Sequence, residues 1–517
     1  MTAILMVGAV SAGCLYVGWD EIAAFVEREP RLEGVRKPLF PRGEKVGART
    51  STVALTPASK EPVAPVQVAT ADGPVMLAAL ETTSGGSLPP PPNPPVPERA
   101  PESQMSAIVP PAGAMPGSSE PAGVQSERPL GERGIVILQI GDSHTSADFL
   151  TGELRRRLQE RYGRGAPGYV TAGRPHVGVR SSTLKVTSSS GWSYKSLQKI
   201  GAVASEFWLS GYNAIATAPG ETMSFASDRP VNFEMIEIEV LRQPGGGKID
   251  IKLDGHVETS YDLASSKPEP VVIRLLPTRG ATEKVKDISI TTTGRGPVTV
   301  ASVAIYNKQS GLTFNSIGYP GAQASLINKF DTKLLANDLV RIDPQIVILS
   351  FGTNEASNDR LDLTNYRNSY ERIIDKIKTT LPEARIVVIG PPDFAELPAA
   401  CRKGNSAATC GRTAVASANG ASPAGECAWR TPPKLYQIRE VQRDIAQRHG
   451  LVYWNWASIM PQECGAHRWY LASPPLMAKD HVHFTIEGYK KSADQFLTTL
   501  IPVIEKVRVG ADVISNN

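Results

Sequence analysis

The stretch VILQIGDSHTSADFL, residues 136–150, joins an unbroken apolar run to a glycine, an aspartate, a serine and a histidine. A short run rich in Val and Ile is typical of a strand that is buried on both faces of a parallel sheet. In an open parallel sheet, functional groups collect at the carboxyl ends of the strands. The sequence therefore predicts that Ser143 lies at the functional edge of such a sheet.

Two further apolar runs resemble the run at 134–140. They are PQIVILSFG at 344–352 and ARIVVIGPP at 384–392. Helical periodicity, with apolar residues on one stripe, is found at 147–162, 365–380, 433–449 and 486–506. Strands that alternate with helices in this way predict right-handed crossovers and a three-layer α/β fold.

The rhythm changes between residues 176 and 311. This stretch contains short alternating segments such as MIEIEVLR, KIDIKLDG and VTVASVAIYN, separated by Gly, Pro and Asp turns. We therefore predict an all-β sandwich, inserted between two parts of the α/β domain at 133–175 and 312–509. Residues 510–517 form a tail.

The amino-terminal region contains a candidate membrane segment and a tether. Residues 2–19 carry no charge, which predicts an export signal or an anchor within 1–22. Basic residues at 28, 31, 36 and 37 would, by the positive-inside rule, leave the rest of the chain in the cytoplasm. Residues 23–132 include SLPPPPNPPVPERAP and predict a disordered linker. Whether the segment is cleaved, and whether Cys14 is lipidated, stays open.

Charge and cysteine content indicate the kind of partner and the cellular compartment of the protein. The chain of 517 residues has 55 basic and 51 acidic residues without a dense basic stripe, so we expect no nucleic-acid partner. Apart from Cys14, the cysteines lie at 401, 410, 427 and 464 without CxxC spacing. This predicts two disulfides in an oxidising, extracytoplasmic compartment, with three pairings open. The cysteine-bearing stretch 398–428 is predicted to be a stapled loop over the cleft.

Polar residues form four clusters where strands end or helices begin. The clusters are GDSH at 141–144, SIGYPGAQAS at 316–325, GTNE at 352–355 and DHVHFT at 480–485. Serine becomes a good nucleophile when an imidazole takes its proton and a carboxylate orients that imidazole. Asp480 and His483 are three residues apart, which brings a carboxylate beside a ring nitrogen and leaves the other nitrogen for Ser143.

Acyl chemistry also requires donors that point at the developing oxyanion. The candidates are the N–H of Ser143, the N–H of Gly321 and the side-chain amide of Asn354. Gly318 is an alternative to Gly321. We favour Gly321 because it lies just before a predicted helix start, where an N–H points outward.

These four blocks resemble the SGNH, or GDSL-like, hydrolase superfamily, whose blocks contribute Ser, Gly, Asn and His in that order. The resemblance covers about 133–175 and 312–509, and it implies a flavodoxin-like sheet with no cofactor and no metal. The GTNEA form and the inserted sandwich look most like periplasmic peptidoglycan O-acetylesterases. The resemblance implies a serine esterase acting on an acetylated polysaccharide and attached to the inner membrane by its amino-terminal segment. Four residues beside the site are candidate supporting residues: Asp142, His144, Glu355 and His481.

The same sequence features also fit several other functions and sites. The same triad would serve a polysaccharide O-acetyltransferase, and a catalytically idle glycan-binding protein is a third reading. A dinuclear metal site would use Asp142, His144, Asn354, His481 and His483. Candidate sugar-stacking aromatics in the insertion, which resembles carbohydrate-binding modules, are Trp192, Tyr194, Trp208 and Tyr212. Trp469 and Tyr470 are candidate pocket residues, whereas Trp454 and Trp456 are expected in the core.

Overall fold

A computed structural model describes residues 134–278, 280–307, 311–398, 401, 409–410 and 427–515. The predicted anchor at 1–22 and linker at 23–132 lie outside the described residues. Among the helices that are described, none combines the length and the apolar character needed to cross a bilayer.

The described chain contains eighteen strands and eight α-helices, which are numbered here in chain order. The strands are β1 (Ile135–Gly141), β2 (Gly168–Thr171), β3 (Lys185–Ser188), β4 (Ser193–Ser196), β5 (Tyr212–Ala216), β6 (Thr222–Phe233), β7 (Met235–Arg242), β8 (Lys248–Leu253), β9 (His256–Asp262), β10 (Glu269–Leu275), β11 (Glu283–Thr292), β12 (Val298–Tyr306), β13 (Leu312–Gly318), β14 (Ile346–Ser350), β15 (Arg385–Gly390), β16 (Thr409–Cys410), β17 (Ala428–Trp429) and β18 (Val452–Asn455). The helices are α1 (Ser143–Ser146), α2 (Phe149–Tyr162), α3 (Thr332–Ile342), α4 (Thr353–Ala356), α5 (Leu363–Thr380), α6 (Pro433–His449), α7 (Gly465–Tyr470) and α8 (Ile486–Ser515).

Five parallel strands form the central sheet in the order β13-β1-β14-β15-β18. Numbered along the chain, these strands lie in the order 2-1-3-4-5, which is the flavodoxin-like order. All five residues of β14 are buried, as the continuous apolar run predicts. The α/β fold class is therefore confirmed, and the switch point of the sheet lies beside β1.

Helices cover both faces of this sheet. Ile137 and its neighbours on one face pack against α2 and α8, through residues such as Leu154 and Phe496. Leu138, on the other face, belongs to a core with α3, α5 and α6. Since successive side chains of a strand point to opposite faces, β1 contributes to both cores and is held firmly.

Helix boundaries agree with the sequence in some places and differ in others. Helix α6 spans 433–449 as predicted, whereas α8 continues past 506 to 515. The helix predicted from 147 begins at 149, because Asp148 adopts a left-handed backbone (φ 54°) that separates it from the single turn α1. Asp148 is held there by its buried ion pair with Arg155, a tertiary contact that periodicity does not reveal.

Two antiparallel sheets form the inserted sandwich. One has the order β10-β7-β12-β5-β4, with β2 also paired to β12, and the other has the order β3-β6-β11-β8-β9. Side chains from both sheets, such as Ile238, Val300, Phe225 and Ile290, share one core. Strand β2 lies upstream of residue 176, so the sandwich takes up a segment that the sequence analysis assigned to the α/β part.

Most of the aromatic residues proposed as a sugar platform are core residues. Trp192, Trp208 and Tyr212 have exposed fractions of 6%, 1% and 4%, and a buried ring cannot stack on a sugar. Tyr194 is half-buried, and its hydroxyl accepts the N–H of Arg174 at 3.0 Å. These three positions therefore belong to the core, as most aromatic residues of a β-sandwich do, and they do not form a sugar platform.

Three tryptophans nearer the carboxyl terminus are also buried. Trp454 and Trp456 are buried in the core, as expected. Trp469 is also buried and packs against Phe484, with ring centroids 5.1 Å apart. It therefore supports the histidine loop from behind and does not line an open pocket.

The structure pairs the four carboxyl-terminal cysteines as Cys401–Cys427 and Cys410–Cys464. The second disulfide joins β16 to the residue that precedes α7. Between Cys401 and Cys427, only residues 409–410 are described, so the predicted position of this loop over the cleft lies largely outside the described residues.

Candidate active site

Ser143 is presented by a sharp change from strand to helix. Strand β1 ends at Gly141, the N–H of Asp142 donates to the Ser350 carbonyl of β14 at 3.1 Å, and Ser143 begins α1. The Asp142 carboxylate caps this turn by accepting the N–H of His144 at 3.0 Å. The carboxyl end of the central strand therefore fixes the position of the serine.

A chain of two hydrogen bonds connects Ser143 to Asp480. The Oγ of Ser143 lies 3.0 Å from Nε2 of His483, and Nδ1 of His483 lies 2.6 Å from Oδ2 of Asp480. All three residues are within hydrogen-bonding range of their partners, as a nucleophile, a base and an orienting carboxylate require. The structure thus brings together the three residues that the sequence analysis named as a triad.

The second oxygen of Asp480 shapes the histidine loop. Its Oδ1 accepts the backbone N–H groups of Val482 and His483, both at 3.0 Å. Burial acts to raise the pKa of Asp480, but the nearby His483 ring and these hydrogen bonds outweigh burial and hold the pKa below its ordinary value. Asp480 is therefore a charged carboxylate that is ready to orient the imidazole.

Three N–H donors lie on the loops around Ser143. The backbone N–H groups of Ser143 and Gly321 make no hydrogen bond to the described residues. The Nδ2 of Asn354 donates one hydrogen to the Ala322 carbonyl at 2.9 Å, which leaves its second hydrogen for another acceptor. This bond also ties α4 to the Gly321 loop.

The two glycines of the GYPG segment have different roles. Gly318 ends β13 directly against α1, and a Cβ there would lie 2.1 Å from the backbone nitrogen of Ser146. Gly321 has a left-handed backbone (φ 73°) and open space around it, so it needs glycine for conformation and not for packing. The free N–H belongs to Gly321, the glycine that the sequence analysis favoured.

Two of the candidate supporting residues are buried directly behind the serine. Burial raises the pKa of Asp142 to about 6, although its hydrogen bond with Thr353 opposes this shift. Burial, together with the nearby His483, lowers the pKa of His144 to about 3. The Nδ1 of His144 lies 3.0 Å from the Tyr489 hydroxyl, so a neutral His144 ring packs under the triad.

Glu355 joins α4 to the Gly321 loop. Its Oε1 accepts the N–H of Ala324 at 2.7 Å, whereas its Oε2 is buried and has no partner among the described residues. Burial raises the pKa of Glu355 to about 7, and the charge of Asp142 adds to the shift. At neutral pH this carboxyl is therefore close to its titration midpoint.

The raised pKa of Glu355 predicts that the stability of the protein depends on pH. Between the ordinary pKa of 4.5 and the folded value of about 7, the folded state binds more protons than the unfolded state, so stability falls as pH rises. From pH 5 to pH 8 this effect should lower the free energy of unfolding by about 2 kcal/mol. The variant Glu355→Gln should lose this part of the pH dependence, as measured by urea unfolding at both pH values.

The matched control is Glu463→Gln, the same change at an exposed glutamate. It should keep the pH dependence of the unmodified protein. Equal pH dependence in Glu355→Gln and the unmodified protein would show that Glu355 is ionised throughout this range.

His481, the fourth candidate supporting residue, points away from the serine. Its Nε2 lies 3.1 Å from Nδ1 of His467, its Nδ1 lies 2.9 Å from the Lys479 carbonyl, and its ring stacks on Trp429 at 3.6 Å. The alternative metal site requires His481 and His483 as joint ligands. In the described part of the chain these residues do not converge, and no group of three ligating side chains forms there.

Sequence reasoning missed several residues that complete this environment. Tyr489 contacts His144, Thr353 contacts Asp142, and Trp429 covers His481. Thr353 and Tyr489 lie within or next to the polar clusters, so their neighbours gave a usable signal. No sequence signal pointed to Trp429, because it reaches His481 from just after the cysteine-bearing stretch at 398–428.

The carboxyl-terminal half of the chain matches a family of known proteins. Residues 289–491 match the GDSL-like Lipase/Acylhydrolase family, a range that contains Gly321, Asn354, Asp480 and His483. This part of the chain is therefore similar to that family, and the protein is a carboxylic ester hydrolase. No match to the chain is found among curated proteins.

Several solved structures are similar to this chain. A peptidoglycan O-acetylesterase is similar with a TM-score of 0.56 and 24% identity, over 72% of this chain and 93% of that one. A family two carbohydrate esterase from Cellvibrio japonicus has a TM-score of 0.24 and 14% identity, over 66% and 97%. A carbohydrate-binding module of Cellvibrio mixtus lichenase 5A has a TM-score of 0.18 and 14% identity, over 28% and 98%. Of these three structures, the peptidoglycan O-acetylesterase has a TM-score above 0.5, and this likeness indicates a shared fold.

Proposed function

We propose that this protein is a serine esterase that removes O-acetyl groups from a cell-envelope polysaccharide such as peptidoglycan. The observation that carries the proposal is the hydrogen-bond chain from Ser143 through His483 to Asp480 at the carboxyl edge of the parallel sheet. The arrangement has a nucleophile, a base and a half-buried orienting charge, with free donors on the neighbouring loops.

In the first half-reaction, the Oγ of Ser143 attacks the ester carbonyl carbon while Nε2 of His483 takes the hydroxyl proton. Negative charge develops on the carbonyl oxygen, and the N–H donors of Ser143, Gly321 and Asn354 stabilise it. The tetrahedral intermediate then breaks its bond to the sugar oxygen, which leaves as a hydroxyl after His483 returns the proton. The acetyl group remains on Ser143.

In the second half-reaction, water replaces the sugar. His483 takes a proton from the water, whose oxygen attacks the acetyl carbonyl. The intermediate then breaks its bond to Ser143 Oγ, which leaves as a hydroxyl after His483 returns the proton. Asp480 stabilises the imidazolium that forms in each half-reaction and does not itself take the proton. The products are acetate, a free sugar hydroxyl and the regenerated enzyme.

The substrate class is supported by the extent of the structural likeness. The similarity to the peptidoglycan O-acetylesterase covers 72% of this chain, a larger share than the α/β part alone provides. The sandwich therefore belongs to the shared architecture. We infer that it contributes to holding a glycan, as part of the proposed function.

The location follows from the same proposal. Disulfides persist in oxidising compartments, and the two pairs in this chain favour one outside the cytoplasm. An uncharged segment at 2–19 followed by a Pro-rich linker suits a membrane-tethered or exported periplasmic enzyme that reaches the cell wall.

The proposal is tested by measuring acetate released from O-acetylated peptidoglycan by the full chain and by Ser143→Ala. We expect release by the unmodified protein and none above background by the variant, because the variant lacks the nucleophile. Lack of release by the unmodified protein, while a fluorophosphonate still labels Ser143, would contradict the substrate and leave the triad in place. Transfer of the acetyl group to an added glycan would instead identify an acetyltransferase.

A further inference from the structure

A cavity of about 340 Å³ lies at the seam between the α/β part and the sandwich. Ser146, Asp148, Arg155 and Phe314 line it from the α/β part. Strands β2 and β3, with the loop between them, line it from the sandwich. Ser143, Asp480 and His483 do not line this cavity, so it is separate from the triad.

The charge of the lining is strongly one-sided. Four cationic side chains line the cavity against a single carboxylate, that of Asp148. Asp148 is already paired with Arg155 at 3.1 Å, and Arg155 also donates to the Ser182 hydroxyl and the Phe314 carbonyl. This pair is neutral and satisfied, and the other cationic side chains in the lining are Arg174, Arg180 and Lys185.

Two of these cations have no partner among the residues that the structure describes. The side chains of Arg174 and Lys185 are exposed at the rim and make no hydrogen bond or ion pair with the described residues. Arg180 lies between the two parts, with its guanidinium over the Phe149 ring at 5.3 Å. Cations held at a concave surface without a carboxylate partner attract an anionic ligand.

The cavity lies close to the nucleophile. Ser146, in its wall, is three residues after Ser143 on the single turn α1, a spacing that puts Cβ atoms about 5–6 Å apart. The Ser146 hydroxyl donates to the Ser143 carbonyl at 3.3 Å, and the Arg180 N–H donates to the Ser146 carbonyl at 3.0 Å. A polymer with its ester at Ser143 would place a neighbouring unit at the cavity.

We propose that this cavity binds a carboxylate of the substrate polymer, so that the enzyme selects acidic glycans over neutral ones. The inference rests on the proposed function in taking a glycan as the ligand. Arginine forms two parallel hydrogen bonds with a carboxylate, and Lys185 adds a second positive charge. The carboxylate belongs either to a sugar unit or to a peptide attached to the sugar, and the two sources share this chemistry.

Binding is measured by calorimetry on the full chain carrying Ser143→Ala, so that turnover does not interfere. The probe is a peptidoglycan disaccharide with its stem peptide, used with free carboxylates and again with the carboxylates converted to amides. Adding Arg174→Gln with Lys185→Gln should raise the Kd of the free acid about tenfold and change the Kd of the amide less than twofold. The loss should shrink at high salt, because screening weakens exposed charge pairs.

The control is Lys284→Gln with Lys286→Gln, which removes the same charge from exposed positions on β11 that do not line the cavity. It should leave both Kd values within twofold. Equal binding of the acid by the cavity variant and the control would overturn the proposal. An equal increase in Kd for the acid and for the amide would also overturn the proposal. An unchanged unfolding temperature in the cavity variant shows that the fold is intact.

A second probe, an oligogalacturonide, distinguishes the sources. A tenfold loss in the cavity variant with this probe assigns the site to a sugar carboxylate, and a loss confined to the stem-peptide probe assigns it to the peptide. No loss with either overturns the inference. Acetate release by the unmodified protein tests the proposed function separately, since the binding measurements use a protein without the nucleophile.

Discussion

His483→Ala is expected to lower kcat for p-nitrophenyl acetate by about a millionfold. His483 is the ring that lies within 3.0 Å of the Ser143 hydroxyl, and without it no group takes the proton when the hydroxyl attacks. The small ester avoids any dependence on glycan binding, so its hydrolysis reports the chemical step. Release of p-nitrophenol under saturating ester, followed by absorbance, gives kcat directly.

The double variant makes this test sharper. Residues that act as one unit are not additive, so Ser143→Ala combined with His483→Ala should be no slower than either single variant. If the double variant were slower by the product of both losses, the two residues would act independently. That result would contradict the hydrogen-bond chain as the source of activity.

Asp480→Asn is expected to lower kcat for the same ester about 10⁴-fold. An asparagine can still accept the N–H groups of Val482 and His483 through its oxygen, so the shape of the loop should persist. Its amide nitrogen, however, cannot accept a hydrogen bond from the Nδ1–H of His483, which lies 2.6 Å from the carboxylate in the unmodified protein. The imidazole is then held in the tautomer that carries its proton on the nitrogen facing Ser143.

The matched control is Asp375→Asn, an identical change at an exposed aspartate on α5, which should keep full activity. Nuclear magnetic resonance of the ring nitrogens checks the cause, since the proton should move from Nδ1 to Nε2 of His483. A loss smaller than tenfold would mean that Asp480 only shapes the loop and does not set the tautomer.

The sequence was sufficient for the central sheet and the reacting groups. Buried strands of a parallel sheet leave continuous apolar runs, and the polar residues that follow them must meet at one edge of the sheet. Ser143 could be named for that reason because it follows β1, whereas Asp480 and His483 were named from their three-residue spacing just before the last helix. The inserted sandwich was also visible, because alternating strands with Gly and Pro turns differ from the helices around them.

What the sequence could not provide depends on contacts between distant segments. Nothing local shows that Trp192 packs in the sandwich core or that Trp208 packs against Leu241 and Ala301, since both tryptophans lie outside the strands. The stack of Trp429 on His481 joins two segments that are distant in the sequence, and spacing alone also leaves the disulfide pairing open. The titration of Asp142 and Glu355 requires knowledge of their burial, which tertiary packing decides.

The insertion between β1 and β13 also sets the order in which the strands of the central sheet are synthesised. Strand β1 lies between β13 and β14, and the amide of Asn315 reaches the Ile137 carbonyl across 178 positions of sequence. During synthesis from the amino terminus, the entire sandwich is complete before either neighbour of β1 exists. Until then β1 is an apolar strand with two unpaired edges, the kind of segment that joins other chains. The serine is thus among the first residues of the domain to be made and among the last to reach its place, and a chain cut near residue 311 should form a sound sandwich that aggregates through β1.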